Sequence, residues 1–250
     1  MHPRFYAPDL RPDAEFVDLP EDEARHLTRV LRLRAGDEIR VFDGRGSECR
    51  ARIEPGPRGR VRVRVIAPCE PAPEPSVRVT LAQAVLKGDH MDAVVRDAAM
   101  MGVASVQPLV SARTQISLAA LKRGRGAERW LRVAVASVKQ CRRAVVPDIR
   151  PPRTFDDYLR TASAEDRLCL MLVEPGVAAP TLHEGDALRR LPRPSRADVI
   201  VGPEGGWTDG EVDAAATAGC VLLTLGRRTL RADAAPLAAL AVLQFVWEDL

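Results

Sequence analysis

From residue 77 onward the chain alternates short apolar runs with longer stretches of helical period. The apolar runs at 77–85, 106–109, 168–173, 199–202 and 220–225 are predicted strands. Residues 89–101, 128–140, 209–218 and about 233–247 are predicted helices. This βα alternation predicts an α/β fold, a mostly parallel sheet with helices on both faces. Thr208 with Glu211 three positions later reads as a capping box, which starts a helix directly behind Gly205 and Gly206.

Upstream the period changes. Ala24, Leu27, Val30 and Leu31 fall at helical spacing within residues 22–33, and short strands follow at 38–42, 49–53 and 61–66, with Asp43-Gly44 as a turn. Strict alternation over 61–65 predicts a buried valine face and an arginine face carrying Arg62 and Arg64. A small β-barrel with one helix is the expectation. Residues 67–76 hold four prolines and little that packs, so they are read as a linker between a domain at 1–70 and a larger one at 71–250. There is no internal repeat.

Three of the predicted strands run into loops built from glycine and proline: Val-Glu-Pro-Gly at 173–176, Gly-Pro-Glu-Gly-Gly at 202–206 and Leu-Gly-Arg-Arg-Thr-Leu at 225–230. In a parallel sheet all three lie on the same edge. Each alone reads as a routine strand-to-helix turn. Together they predict a small-molecule pocket, because glycine lets a ligand approach the main chain. A phosphate cradled on a helix N-terminus is the alternative. No GxxxxGK[ST] is present, and Glu204 would repel an anion.

Composition adds little until it is divided along the chain. Net charge is +3, with 46% hydrophobic and 28% charged residues. Residues 25–64 carry 12 arginines against 5 acids, and 111–153 carry 11 basic residues against 2 acids. Residues 154–250 are acidic, with 9 basic and 15 acidic side chains. Two basic blocks beside an acidic, glycine-looped block fit an RNA-binding face next to a small-molecule site; coding bias toward arginine and a solvated surface are the plainer account. The five cysteines form no CxxC pair, and His2, His26, His90 and His183 have no metal-ligand spacing, so neither a metal nor a disulfide framework is expected. No apolar run spans a bilayer or resembles a signal peptide. A cytoplasmic protein without a membrane partner is the expectation.

Gly-Pro-Glu-Gly-Gly followed by Leu-Gly-x-Arg-x-Leu-Arg (225–231) resembles the RsmE family of 16S rRNA (uracil-N3) methyltransferases, of the SPOUT class. The segment His26–Asp37 with Phe42–Gly44, Lys87-Gly-Asp-x-Met-Asp, and Gln140-Cys-x-Arg-x-x-x-Pro147 extend the resemblance over essentially the whole chain. It implies a trefoil-knotted C-terminal sheet that binds S-adenosyl-L-methionine, a PUA-like RNA-binding barrel in front of it, and a homodimer. The implied activity is methylation of N3 of one uridine of 16S rRNA within the small ribosomal subunit. The implied cofactor residues are Leu172, Val173, Glu174, Gly202, Pro203, Glu204, Gly205, Gly206, Leu225, Gly226, Thr229 and Leu230. Arg143 and Arg231 are the candidate electrostatic stabilisers of the deprotonated ring. His26, Arg29, Arg32, Lys87, Arg113 and Gln140 are the implied RNA contacts, with helix packing an equal account of His26. Met100, Asp233 and Ala234 depart from the family pattern, and no residue is identified as general base. Another SPOUT RNA methyltransferase, or a non-catalytic RNA-binding assembly factor, is the alternative function.

Overall fold

The computed structural model describes residues 2–11, 13–56, 60–162, 167–177, 188–189 and 193–249. His183 lies outside the described residues. They divide into two compact units, one of residues 1–74 and 135–146, the other of 75–134 and 147–250.

The first unit is a five-stranded mixed sheet. Its strands are β1 (Arg4–Tyr6), β2 (Phe16–Asp18), β3 (Glu38–Phe42), β4 (Glu48–Pro55) and β5 (Val61–Cys69), in the order β1-β3-β4-β5-β2. Among the described residues β1 and β2 are its edges, so the small β-barrel expected is a curled half-barrel. Its core is Phe5, Leu10, Val17, Ile39, Val41, Ile53 and Val63. The alternation of β5 holds: Val63 is buried, while Arg62 pairs with Asp18 at 2.7 Å and Arg64 with Glu54 at 2.7 Å. Asp43 makes the predicted turn by accepting from the N–H groups of Arg45 and Ser47, at 2.7 and 3.0 Å.

Two expectations here are corrected. The linker begins later, because β5 continues through Pro68 and Cys69 against β4. The helix at 22–33 is a short α1 (Glu21–Arg25) followed by a π-turn (His26–Val30). That wider turn rotates the following side chains away from the core, so Leu27 is buried while Val30 is 64% exposed and Leu31 42%. The first unit also extends beyond residue 70, to Glu74, and takes in residues 135–146. The reason is specific bonding. Arg4 donates to the carbonyls of Val138, Lys139 and Arg143 at 2.7–3.0 Å, and Lys139 meets buried Glu23 at 2.7 Å.

The second unit is a parallel sheet of seven strands: β6 (Arg78–Ala84), β7 (Ser105–Val110), β8 (Asp148–Ile149), β9 (Arg153–Thr154), β10 (Leu168–Leu172), β11 (Arg196–Val201) and β12 (Val221–Leu223). The order is β12-β10-β11-β6-β7-β8, with β9 also on β7. The helices are α2 (His90–Met100), α3 (Leu118–Arg123), α4 (Gly126–Cys141), of which residues from 135 on belong to the first unit, α5 (Phe155–Ala162), α6 (Asp209–Thr217) and α7 (Ala235–Val246). Phe155, Tyr158 and Leu159 of α5 and Val212 and Ala215 of α6 pack on Ala82, Met171, Ile200 and Leu222 of one sheet face. Successive strand residues point to opposite faces, and α7 packs on β11 from the other side beside α2. Cys169 and Cys220 both enter the first of these cores, as their place in the apolar runs suggests. No helix among the described residues is long and apolar enough to cross a membrane.

The end of the chain is pinned to the start of the sheet. Asp249 accepts from the N–H groups of Ser76 and Val77 at 3.1 and 3.0 Å, from the Ser76 hydroxyl at 2.6 Å, and pairs with Arg193 at 2.6 Å. Burial pushes the Asp249 carboxyl up, but these donors outweigh it and its pKa lies below the ordinary value. A depressed carboxylate stabilises the fold above the unfolded-state value near pH ~4 and loses that contribution as pH falls through the folded-state value. Asp249→Asn is therefore expected to lower the urea midpoint at pH 7 and to leave it unchanged once the wild-type carboxyl is protonated.

Candidate cofactor site

Strands β11, β10 and β12 are neighbours, so their three C-terminal loops emerge side by side. They enclose a cavity of about 460 Å³, closed on a fourth side by the β6–α2 connection through Leu86 and His90. The size suits a drug-sized ligand.

The glycine-rich loop is braced from several directions. Gln83, fully buried in β6, donates from Nε2 to the Gly202 carbonyl at 3.1 Å. Arg113 donates to the Gly205 carbonyl at 2.8 Å, and Glu204 accepts the main-chain N–H of Lys87 at 2.8 Å. Gly206 closes the turn onto the Pro203 carbonyl at 3.0 Å with φ +67°, and a Cβ there would stand 2.9 Å from the Glu174 carboxylate. Behind it the predicted capping box is formed: the Thr208 hydroxyl accepts from the Glu211 N–H at 3.2 Å, and Glu211 accepts from that of Thr208 at 2.9 Å. Trp207 lies against Gly202, donates from Nε1 to the Leu172 carbonyl at 2.9 Å, and packs against Phe155 with the ring planes tilted by 39°.

The cavity has two characters. Leu86, Leu172, Val201, Leu223, Leu225 and Leu230 give it apolar walls, while Glu174, Glu204, His90, Arg228, Arg231 and Asp233 give it polar and charged groups. Buried Thr224, between two wall leucines, has a hydroxyl with no partner among the described residues. A flat ring system with a charged tail fits this division; a phosphate facing Glu174 and Glu204 does not.

In the lining, His90 Nδ1 lies 2.9 Å from Asp233 Oδ2, and Arg231 Nε is 3.4 Å from Asp233 Oδ1. Burial raises the Asp233 pKa, but the His90 hydrogen bond and the Arg231 charge reverse this and hold it below the ordinary value. An imidazole held by a carboxylate in a cavity is an arrangement suited to accepting a proton.

Ten of the twelve expected cofactor residues line the cavity, as does Arg231; Gly205 and Gly226 belong to its loops without lining it. Arg113 and Lys87 brace the glycine loop, Arg113 through its guanidinium and Lys87 through its main chain. His26, Arg29, Arg32 and Gln140 are exposed, and the His26 ring is edge-on to Phe5 at 6.2 Å. Arg143 does not line the cavity: its side chain is 5% exposed and grips Glu74 through Nε at 3.0 Å and Nη2 at 2.5 Å. Sequence reasoning missed Trp207, Arg228, and the pairing of His90 with Asp233.

Comparison with known proteins decides the family. Residues 73–244 match the family model for an RNA methyltransferase domain, and residues 19–66 the model for an RNA methyltransferase PUA domain. The chain belongs to the RNA methyltransferase family. Its relatives include ribosomal RNA small subunit methyltransferase E of Synechocystis sp., 32% identical over 93% of this chain and 74% of the relative. The enzyme of the same name from Mycobacterium bovis is 31% identical over 98% of this chain and 93% of its own. The crystal structure of that methyltransferase from Neisseria gonorrhoeae, bound to S-adenosyl methionine, superposes with a TM-score of 0.85 at 32% identity, covering 99% of this chain and 98% of that one. A Legionella pneumophila protein solved with bound SAM gives 0.86 at 31% identity, over 98% of both chains. The SPOUT-type parallel sheet and PUA domain expected from the resemblance are therefore the fold this chain has.

Proposed function

We propose that this chain is an S-adenosyl-L-methionine-dependent methyltransferase acting on N3 of one uridine in 16S rRNA. The observation that supports it most directly is the convergence of the three strand-end loops and the His90–Asp233 pair on one cavity. S-adenosyl-L-methionine supplies an electrophilic methyl group on a sulfonium. The leucine walls would hold its adenine, and Arg228 would meet its carboxylate. Glu174, Glu204 and Asp233 provide negative charge for its cationic centre.

The chain's own chemistry concerns a proton. Uracil N3 is protonated at neutral pH, and its lone pair must be released before it attacks. His90, oriented through Nδ1 by Asp233, accepts that proton on Nε2, and Arg231 stabilises the negative charge spread over the ring. Arg143 is not carried into this mechanism, because Glu74 engages it.

The surface of α7 supports a homodimer. Leu237, Val242 and Phe245 are 39%, 41% and 65% exposed on one helix, and Met100 of the neighbouring α2 is 38% exposed. RNA would meet the basic half-barrel through Arg29 and Arg32, and the work would be done in the cytoplasm, on the small ribosomal subunit.

The test is direct. Purified protein with small subunits or their naked rRNA and labelled cofactor is expected to yield 3-methyluridine at a single site, mapped by mass spectrometry, and to sediment at twice the chain mass. Methylation of a ribose 2′-hydroxyl instead would make it a different SPOUT enzyme. S-adenosylhomocysteine binding without methylation of any RNA would end the enzyme reading.

A further inference from the structure

Asp89 and Asp92 stand on either side of His90 at the start of α2. An aspartate at the N-cap ordinarily accepts from a main-chain N–H two or three residues on, and the helix start gains from that bond. Asp89 holds the N-cap position of α2 and makes no such bond. Its carboxylate turns instead to α4. Arg129 donates from Nη2 to Asp89 Oδ1 at 2.6 Å and from Nε to Asp92 Oδ2 at 2.6 Å. One guanidinium thus clasps both acids that flank the proposed proton acceptor.

The clasp acts where α2 is least fixed. Met91, Val94 and Val95 are buried and hold the body of the helix. Just ahead of it lies Gly88, at φ +55° with nothing within 4 Å of a would-be Cβ, so the connection from β6 has a hinge there. His90 is the first helical residue and its side chain is 44% exposed, so packing alone does not set its ring. The Lys87 N–H on Glu204 and the His90 N–H on the Lys87 carbonyl, at 2.8 and 3.2 Å, hold the connection. Arg129 holds the turn that follows it.

The other end of the clasp is rigid. Trp130, next to Arg129, is buried with its ring beside Gly126, and Ala134 is fully buried, so this part of α4 is a fixed post. A surface ion pair adds little to stability, because two side chains must be ordered to make it. Here one planar group joins two acids at short range, and what it orders is the turn carrying His90.

We propose that Arg129 is a positioning residue for methyl transfer: it holds the first turn of α2 so that the His90 ring stays on Asp233 and presents Nε2 to the uracil. This role rests on the reading of His90 as proton acceptor; the clasp itself does not. Arg129 does not line the cavity. Its contribution is geometric, and a misplacement of about 1 Å in a reacting group costs up to ~10²-fold in rate.

The experiment uses the full chain, the rRNA substrate and labelled cofactor. Arg129→Gln is expected to lower kcat about ten-fold while the RNA KM, S-adenosylhomocysteine affinity and urea midpoint stay close to wild type. In a His90→Ala background the same change should cost less than about two-fold, because the side chain it positions is gone. Arg129→Lys keeps the charge but lacks the planar fork, and is expected to recover part of the rate. Equal losses in the two backgrounds would overturn the proposal. A raised KM at unchanged kcat would do so too, by making Arg129 an RNA contact. Magnetic resonance of the protein with isotope-labelled histidine needs no turnover. The His90 signals, identified by their loss in His90→Ala, should show the proton on Nδ1 in the wild type and a weaker preference in Arg129→Gln. Unchanged His90 signals in Arg129→Gln would refute the positioning role. Changed signals, in a protein whose His90→Ala variant keeps full turnover, would sustain the positioning and remove His90 as proton acceptor.

Discussion

Gly206→Val is expected to weaken S-adenosylhomocysteine binding about 100-fold or more in calorimetric titration, in a chain that still folds. Two costs coincide at this position. Its φ of +67° lies in the left-handed region, where a β-branched side chain is disfavoured by at least ~1–2 kcal/mol. A Cβ would also stand 2.9 Å from Glu174 Oε1, with Arg113 Nη1 at 3.9 Å behind it. Glu174 is itself part of the cavity lining, so the strain is relieved by moving one cofactor wall or the other. Gly226→Ala separates the two costs. Gly226 has φ +78° but nothing within 4 Å of its would-be Cβ, so that variant carries backbone strain alone and should lose about ten-fold at most. Affinity within three-fold of wild type for Gly206→Val would show that the 202–206 loop is not a wall of the cofactor site. A fall in the urea midpoint for Gly206→Val matching ~1–3 kcal/mol is the expected structural cost.

The 202–206 loop that holds Gly206 is of the kind that sequence pattern records well. Apolar runs of period two and capped helices of period 3.6 report which face of an element is buried, and parallel strands gather their ends on one edge. The three loops were legible for that reason, as was the Thr208–Glu211 cap. Elements held by few residues were not. β8 and β9 are two residues long, and no periodicity exists over two residues. Helix α5 follows β9 directly, with Asp156, Asp157 and Arg160 interleaved among its buried Phe155, Tyr158 and Leu159. The π-turn after α1 defeated the reading of Val30 and Leu31, because it changes the residues per turn that the pattern assumes. The membership of 135–146 in the first compact unit is equally invisible to periodicity: Arg4 and Lys139 bring that segment in through bonds spanning more than a hundred residues. Periodicity reports faces, not chain crossings, so the threading implied by the family resemblance is not written in it.

The same limit hid the proposed proton acceptor. His90 and Asp233 are separated by 143 residues, and in sequence one is a histidine in a helix start without metal-ligand spacing, the other a shortened acid in the Leu-Arg-x-Asp segment. Only the fold makes them a pair. His90→Ala is expected to slow methyl transfer about 10²- to 10⁴-fold, the range for losing a general base. The RNA concentration at half-maximal rate should change little, because the proton is moved in the transition state and not in binding. S-adenosylhomocysteine affinity should stay within about three-fold, since the leucine walls and glycine loop are untouched. Asp233→Asn keeps a side chain of the same shape but removes the charge that orients and stabilises the imidazolium, so an intermediate loss is expected. A packing role for His90 predicts a different set of results: a lower urea midpoint, weaker cofactor binding, and no response to added base. Free imidazole separates the two accounts. If His90 accepts the N3 proton, millimolar imidazole should restore part of the His90→Ala rate and leave Asp233→Asn and the wild type unaffected. Undiminished turnover in His90→Ala would remove the imidazole from the mechanism and leave Arg231, with solvent as base, to carry the ionised ring.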